Sequence, residues 1–281
     1  MAPDDFEHGD FEYLARLVHR HSGLVLRHDR AAMAYRRLMP VMHRYGFRDI
    51  HALIDDIRLG HAALGEAVTE AMAVNETSFF RDPDQYRRLK TQVLTHLIAA
   101  RGPQKRLRLW SAACASGQEA WSLAILLDEL DLVRRGWHIE LIATDLCAAA
   151  IARAQAGRYS AFEIQRGLGA DRLARYFRAE DGEWTVNGAL RAMVRFRRFN
   201  LLDSFGWLDE ADVVLCRNVL MYFDAANRIQ ILERMSGALA ADGVLILGES
   251  ENGELVPPGF HAWPAASGIY RRGRPAGLKA N

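Results

Sequence analysis

The stretch Leu107–Leu127, which reads LRLWSAACASGQEAWSLAILL, is the sequence feature that most constrains the fold. Its apolar start predicts a buried strand over Leu107–Trp110, and its end predicts a helix from about Glu119. Small residues over Ser111–Gly117 join the two, a geometry that brings backbone N–H groups close to a nucleotide-like ligand. The turn lacks the G-x-G-x-x-G spacing, and any tight turn favours small residues. This stretch alone therefore leaves ligand binding open.

Strands and helices continue to alternate towards the C-terminus. The further predicted strands are Ile139–Thr144, Val194–Phe199, Ala211–Cys216 and Val244–Leu247, and the predicted helices between them are Ala148–Ala156 and Asn227–Leu239. Such a series forms a mostly parallel sheet with helices on both faces, the α/β class. Phe260–Trp263 and Gly268–Arg271 predict an antiparallel hairpin at the sheet edge. An Asn187–Gly188 turn predicts a second hairpin, between Trp184–Val186 and Leu190–Phe196, that interrupts the series.

The chain before this region has only helical periodicity. Helices are predicted over Phe6–His21, from Arg30, over Asp49–Arg58, over His61–Ala73 and over Asp84–Ala100. Asp29 would cap the helix that starts at Arg30, and Pro40 would kink or split it. We therefore predict an all-helical domain over residues 1–90 and an α/β domain over 91–281, with a small β insert at about 176–196.

Arginine is concentrated in the second predicted helix. Six arginines stand between Leu26 and Arg48 against one acid, Asp29, in a chain whose net charge is only +1. Arg30, Arg37 and Arg44 are spaced to share a helix face. Such a face is either simply solvated or a docking surface for an acidic partner.

Composition excludes several classes of protein. The near-neutral charge argues against a general nucleic-acid binder. Three cysteines without a C-x-x-C pair argue against a disulfide framework or a zinc site and fit a reducing cytoplasm. No apolar run predicts a signal peptide or a membrane span, and the ten histidines form no metal-binding motif. We expect no metal, no membrane insertion and no need for more than a monomer.

Polar residues follow the predicted strands at their carboxyl ends, where α/β sheets bind ligands. Asp145 follows the second strand, Asn200-Leu201 the third and Asn218-Val219 the fourth. An acid at such a tip can bind both hydroxyls of a ribose, and an asparagine beside an apolar residue suits an adenine. Together these tips predict a nucleoside ligand.

Five motifs in order resemble the CheR-type chemotaxis receptor methyltransferases. They are VNETSFFRD, LWSAACASGQEAWSLAI, IATDL, FNLL and LCRNVLMYF, and the similarity runs from about Leu24 to Arg271. The resemblance implies a helical N-terminal domain and a Rossmann-like S-adenosylmethionine-dependent methyltransferase domain with a small β-subdomain. It also implies methyl transfer to glutamate side chains on the cytoplasmic helices of chemoreceptors.

The resemblance also assigns residues. It implies that Asn75, Thr77 and Arg81 lie beside the methionine part of the cofactor, that Glu119 is the acid of the first loop, that Asp145 binds the ribose, and that Asn200, Leu201, Asn218 and Val219 surround the adenine and the rest of the cofactor. Arg81 and Tyr222 would face the methyl group and the incoming carboxylate. The basic helix, with Arg30, Arg36, Arg37, Arg44 and Arg48, would face the acidic receptor helices.

The chain departs from the family pattern in three places. Where the family reads G-E-E-P-Y-S, this chain has Gln118, Glu119 and Ala120, so the second acid is kept and the proline is lost. Pro40 stands inside the basic helix. The insert, AEDGEWTVNGALR, is short, which disfavours the grip on a receptor C-terminal pentapeptide that some members have.

Three other functions are compatible with parts of this pattern. A nicotinamide dehydrogenase would need the glycine fingerprint, and a nucleic-acid methyltransferase would usually carry an N/D-P-P-Y tetrad where this chain has Arg217-Asn218-Val219-Leu220. The third rival, a non-catalytic S-adenosylmethionine-binding receptor adaptor, is disfavoured by Arg81 and Tyr222. Sequence does not decide whether the chain turns over substrate.

Overall fold

The structure, a computed structural model, describes residues 6, 8–251, 259–264 and 267–273. The chain divides into two compact units. The first is helical and comprises the chain up to Val74 together with Tyr222–Asn227. The second contains Asn75–Met221 and the chain from Arg228 onwards. The domain boundary after residue 90 stays a prediction.

Four helices build the first unit: α1 (His8–Ser22), α2 (Ala31–Tyr45), α3 (Ile50–Arg58) and α4 (Ala62–Met72). Each turns one apolar stripe inward, as its periodicity predicts. The most buried side chains of this core are Leu14, Val18, Leu38, Leu53, Ile54 and Val68. Asp49 caps α3 because its carboxylate accepts the Ala52 N–H at 2.8 Å.

The start of α2 differs from the prediction. The prediction that Asp29 caps this helix is wrong: a short 3-10 turn over His28–Arg30 precedes α2, and the Asp29 carboxylate accepts a hydrogen bond from Arg27 instead. The helix runs on through Pro40 to Tyr45 without splitting. Pro40 is exposed, so the backbone hydrogen bond that proline cannot make is lost on the solvent side.

A seven-stranded sheet forms the centre of the second unit. Its strands are β1 (Arg106–Ala112), β2 (His138–Asp145), β6 (Val194–Arg198), β7 (Ala211–Cys216), β8 (Leu239–Leu247), β9 (Phe260–Ala262) and β10 (Ile269–Arg272). The spatial order is β6-β2-β1-β7-β8-β10-β9, and the first five strands are parallel. β10 is antiparallel to both of its neighbours, which confirms the predicted hairpin at the sheet edge.

Helices accompany this sheet. They are α5 (Pro83–Arg88) and α6 (Thr95–Ala100), joined through a π-helical stretch over Leu89–Leu94, then α7 (Gln118–Glu129), α8 (Ala148–Ala156), α9 (Ala161–Gln165), α10 (Ala170–Tyr176), α11 (Gly188–Arg191) and α12 (Ala225–Ala238). In α7 every residue from Gln118 to Leu127 is buried. Across the described ranges, no helix combines the length and the apolar character that a bilayer crossing requires.

The small β insert is a three-stranded antiparallel sheet of β3 (Arg158–Tyr159), β4 (Phe177–Glu180) and β5 (Glu183–Val186). The predicted Asn187–Gly188 hairpin is wrong. The hairpin turn is Asp181-Gly182, where both residues have positive φ. Asn187 instead caps α11 by accepting the Leu190 N–H, and the following strand β6 belongs to the large sheet.

Candidate active site

Four strand ends with the predicted ligand residues lie side by side. β6, β2, β1 and β7 are parallel neighbours, so the residues that follow them share the carboxyl edge of the sheet. This edge brings together the loop after β1, Asp145, Asn200-Leu201 and Asn218-Val219, as the sequence predicts.

The loop after β1 needs small residues for backbone geometry and for packing. Ala113, Ala115 and Gly117 all have positive φ. At Gly117, with φ +94°, an added Cβ would lie 2.7 Å from the Cβ of Ala154 on α8. Only glycine fits this close approach of the loop to α8.

The Asp145 carboxylate holds two loops together. It is buried, its Oδ2 accepts the Ala115 N–H at 2.8 Å, and its Oδ1 accepts the Cys147 N–H at 2.9 Å. Asp145 thus joins the loop after β1 to the loop after β2 at this edge of the sheet.

Glu119, on the first turn of α7, lies in a buried network. Its Oε1 accepts from the Ser111 hydroxyl at 2.8 Å, and its Oε2 accepts from Arg217 Nη1 at 3.0 Å. Only 2% of the Arg217 side chain and 11% of the Glu119 side chain are exposed. The predicted cofactor acid is therefore a member of a buried ion pair.

Arg217 is a site residue that sequence reasoning missed. Its guanidinium also donates to the Arg81 carbonyl and the Asp82 carboxylate, both at 2.7 Å, and to Gln85 Oε1 at 2.6 Å. Burial alone would lower the pKa of Arg217, but Tyr86, Glu119 and Asp82 outweigh burial and raise it. The available signal was a lone arginine directly after the fully buried strand β7, because such a cation requires acidic partners.

The segment Asn75–Asp82 is held in an unusual conformation. Phe80 and Asp82 have φ of +47° and +61°. The Phe80 N–H donates to the Ser122 hydroxyl at 3.0 Å, and a Cβ at Gly167 would lie 1.9 Å from the Phe79 carbonyl oxygen. Together with Arg217, these contacts fix the backbone on both sides of Phe80.

Arg81 differs from the segment that carries it. Its side chain is exposed, and its only hydrogen bond within the described chain is a long one, 3.4 Å from Nη1 to the Glu76 carbonyl. A fixed backbone therefore presents a cation that is free to meet an anionic group.

Several predicted cofactor residues have polar side-chain groups without a hydrogen-bond partner in the described part of the chain. The side chains of Asn75, Thr77 and Asn218 are half-buried and make no hydrogen bond to the part of the chain that the structure describes. Half-buried amide and hydroxyl groups of this kind can hydrogen-bond to a ligand, and S-adenosylmethionine offers polar edges on its amino acid, ribose and adenine. These residues therefore fit the cofactor that the sequence predicts.

Glu251 orders the loop after β7, and sequence reasoning missed it as well. The carboxylate is buried, and its Oε2 accepts the N–H groups of Asn218 at 2.6 Å and Gly248 at 3.0 Å. Asn218 has φ +57°, a conformation that asparagine tolerates better than most residues. Val219 is half-buried beside it.

Asn200 and Leu201 follow β6. Leu201 is buried, and the Asn200 Oδ1 accepts the Leu202 N–H at 3.0 Å, which turns the chain away from the strand. Tyr222, the second predicted catalytic residue, is half-buried and belongs to the helical unit.

The predicted docking arginines do not all have the same surroundings. Arg30, Arg36, Arg44 and Arg48 are exposed. Arg37 is half-buried, and its Nη1 donates to the carbonyls of Met72 and Ala73 at 2.9 and 3.1 Å. Arg37 therefore closes the C-terminal end of α4, where helix carbonyls lack intrahelical partners.

Known proteins match nearly the whole chain. The all-alpha domain of the CheR methyltransferases matches residues 9–72, and their SAM binding domain matches residues 75–264. The chemotaxis protein methyltransferase 1 of Pseudomonas aeruginosa is 39% identical over 94% of this chain and 98% of that protein. The chemotaxis protein methyltransferase Cher2 of Pseudomonas putida is 36% identical over 92% and 96%, and the chemotaxis protein methyltransferase 1 of Vibrio cholerae is 32% identical over 88% and 90%.

These matches confirm the predicted fold class and the predicted resemblance. The helical region and the α/β region match the two domains of one family, in the same order along the chain. The chain is an S-adenosylmethionine-dependent protein methyltransferase and belongs to the CheR methyltransferase family.

Proposed function

We propose that this enzyme methylates glutamate side chains on the cytoplasmic domains of chemoreceptors. The products are a glutamyl methyl ester and S-adenosylhomocysteine, and the modification serves adaptation in chemotaxis-type signalling. The enzyme acts in the cytoplasm as a monomer. Its relatives' names, chemotaxis protein methyltransferases, support the pathway, and the uncommitted Arg81 on its fixed backbone supports an anionic acceptor.

The chemistry requires little acid–base machinery. When bound, S-adenosylmethionine would supply an electrophilic methyl group on its sulfonium. A glutamate carboxylate oxygen would bond to that carbon as the carbon–sulfur bond breaks, and S-adenosylhomocysteine would be the leaving group. A glutamate side chain, with a reference pKa of about 4.3, is already ionised at neutral pH, so no general base is needed. Alignment of oxygen, carbon and sulfur then contributes most of the rate enhancement.

The chain's own residues have separate roles in this proposal. Arg81 steers and orients the carboxylate, and Tyr222 donates a hydrogen bond to it. Asp145 binds the ribose, Glu119 lies at the methionine side, and Asn75 and Thr77 bind beside it. Asn200, Leu201, Asn218 and Val219 surround the adenine and the rest of the cofactor.

Docking uses the basic helix α2 together with Arg30 and Arg48, which flank it. Arg30, Arg36, Arg44 and Arg48 are exposed and offer positive charge to the acidic receptor helices. Arg37 contributes to the same surface and also closes α4.

The test is to incubate the enzyme with labelled S-adenosylmethionine and receptor-bearing membranes and to look for base-labile methyl groups on the receptor. A methyl ester releases its label as methanol in base, whereas N-methyl groups do not. Base-stable label, or cofactor binding without any transfer, would refute the proposal.

A further inference from the structure

The segment Tyr222–Asn227 belongs to the helical unit, although the chain on both sides of it belongs to the α/β unit. It starts three residues after Val219 and begins with Tyr222, the proposed hydrogen-bond donor to the substrate carboxylate. Whatever fixes this segment also fixes Tyr222.

Backbone pairing fixes the start of the segment. The Val25 N–H donates to the Tyr222 carbonyl at 2.8 Å, and Leu24 and Phe223 form an antiparallel bridge. The chain just after α1 thus pairs with the segment through an isolated antiparallel β-bridge.

Gly23 permits this pairing. Its φ is +73°, and an added Cβ would lie 2.9 Å from Cδ1 of Phe223 and 3.1 Å from Nδ2 of Asn227. Phe223 is buried, so it has little room to move away. Any side chain at residue 23 would push directly on the residue next to Tyr222.

His19, on the last turn of α1, binds the segment through Asp224. Its Nε2 lies 2.5 Å from Oδ2 of Asp224, and the same carboxylate accepts the Asn227 N–H at 2.8 Å. The Asn227 amide and His19 lower the pKa of Asp224, so the carboxylate stays charged at neutral pH. This side-chain contact ties the segment to α1 in addition to the backbone pairing.

We propose that Gly23 and His19 are positioning residues for methyl transfer, holding Tyr222 in place from the helical unit. The proposal rests on the proposed function of Tyr222.

The test compares two glycine substitutions in the full-length enzyme. Gly23→Ala is paired with Gly60→Ala, because Gly60 also has positive φ, +93°, but a Cβ there meets nothing within 4 Å. Both variants place alanine at a positive φ, and only the first displaces Phe223. We expect Gly23→Ala to lower kcat for receptor methylation by about tenfold or more relative to Gly60→Ala, with unchanged S-adenosylmethionine affinity by calorimetry.

A second pair covers the case in which Gly23→Ala does not fold. His19→Gln is compared with His61→Gln, which removes a similar histidine–aspartate contact, His61–Asp56 at 2.6 Å, elsewhere in the helical unit. Because a half-exposed pair contributes little, we expect His19→Gln to lower kcat by about threefold and His61→Gln to leave it unchanged.

The outcomes separate the two proposals. If the wild-type enzyme transfers no base-labile methyl group, the proposed function fails and this proposal fails with it. If the wild type is active and a folded Gly23→Ala retains the kcat of Gly60→Ala, or loses cofactor affinity to the same extent as kcat, only the positioning proposal is wrong. If Gly23→Ala does not fold, equal kcat values in His19→Gln and His61→Gln would likewise show that the positioning proposal is wrong.

Discussion

Arg217 and Glu119 form an ion pair in the interior of the enzyme, with Nη1 and Oε2 3.0 Å apart. The two residues are 98 positions apart in the chain, and their pairing joins the tip of β7 to the start of α7. The same guanidinium binds Asp82, so it neutralises two acids and holds the segment that carries Arg81.

Removing this guanidinium should destabilise the enzyme and weaken cofactor binding. Arg217→Met leaves the carboxylates of Glu119 and Asp82 without their cation, so we expect a loss of about 3–5 kcal/mol in the free energy of unfolding in urea. Calorimetry should show weaker S-adenosylmethionine binding. The control is Arg87→Met, which removes an exposed pair with Asp84 and should cost under about 1 kcal/mol. Equal costs in the two variants would contradict the role of Arg217.

Arg81 should affect catalysis without affecting stability. Because its side chain is exposed and makes a single long hydrogen bond, Arg81→Ala should change the free energy of unfolding by less than about 0.5 kcal/mol. It should lower the rate of methyl transfer roughly a hundredfold, since an orienting charge is lost. Cofactor affinity and transfer are measured separately, with Arg87→Ala as the exposed control. If both stay at the wild-type values, Arg81 has no part in the reaction.

The sequence predicts the large sheet well because its strands are short apolar runs separated by clear turns. Ala211–Cys216 appears in the structure with the predicted bounds. Asn187 shows where such reasoning fails. An Asn-Gly pair suits a hairpin, but the asparagine oxygen is equally suited to cap a helix, and only the tertiary structure decides between the two.

The anchoring of the site could not be predicted, because its partners are far apart in sequence. Arg217 contacts residues more than 95 positions away, and Glu251 contacts Asn218 from 33 positions away. The strand tips reveal which residues can meet a ligand. They do not reveal which buried charges hold those residues in place.

The Glu129 carboxylate should stabilise the enzyme in a pH-dependent way. Burial alone would raise its pKa, but hydrogen bonds from Arg172 and Lys90 outweigh burial and lower it. Arg172 also stacks on Phe80, 3.8 Å from the ring centroid, so the pair supports the Arg81 segment. A lowered carboxylate pKa stabilises the fold above the unfolded pKa of about 4.3, and this contribution is lost as the pH falls through the folded value.

The corresponding measurement is urea unfolding of the wild type and Glu129→Gln at pH 7 and at about pH 3. The wild type should be more stable at pH 7, and the difference should shrink in acid. A difference that is constant with pH would show that the charge of Glu129 does not matter.

Gln118 stands where the family usually has glutamate, and the structure explains why glutamine suits this chain. Its Nε2 donates to Glu163 Oε1 at 3.3 Å, while its Oε1 accepts from the Ser116 hydroxyl. Gln118→Glu would place two carboxylates against each other at a buried position, and we expect a cost of about 1–3 kcal/mol in unfolding free energy. Glu163→Gln itself loses the ion pair with Arg153, so the effect of Gln118→Glu is measured in the wild type and in the Glu163→Gln background. We expect Gln118→Glu to cost less in the second background, and equal costs in both would rule out repulsion as the cause.

Two arginines of α2 should separate folding from docking. Arg37→Met removes two hydrogen bonds to the end of α4 and should lower the free energy of unfolding by about 1–3 kcal/mol. Arg44→Glu alters an exposed side chain whose described contact is the Tyr45 ring, so stability should change by less than about 0.5 kcal/mol.

The effect of Arg44→Glu should instead appear in receptor methylation. The KM for receptor-bearing membranes should rise, and the rate should become less sensitive to added salt, because screening acts on the attraction that the substitution removes. Cofactor affinity by calorimetry should equal that of the wild type. An unchanged KM together with an unchanged salt dependence would show that the exposed face of α2 is only solvated, the alternative that the arginine spacing alone leaves open.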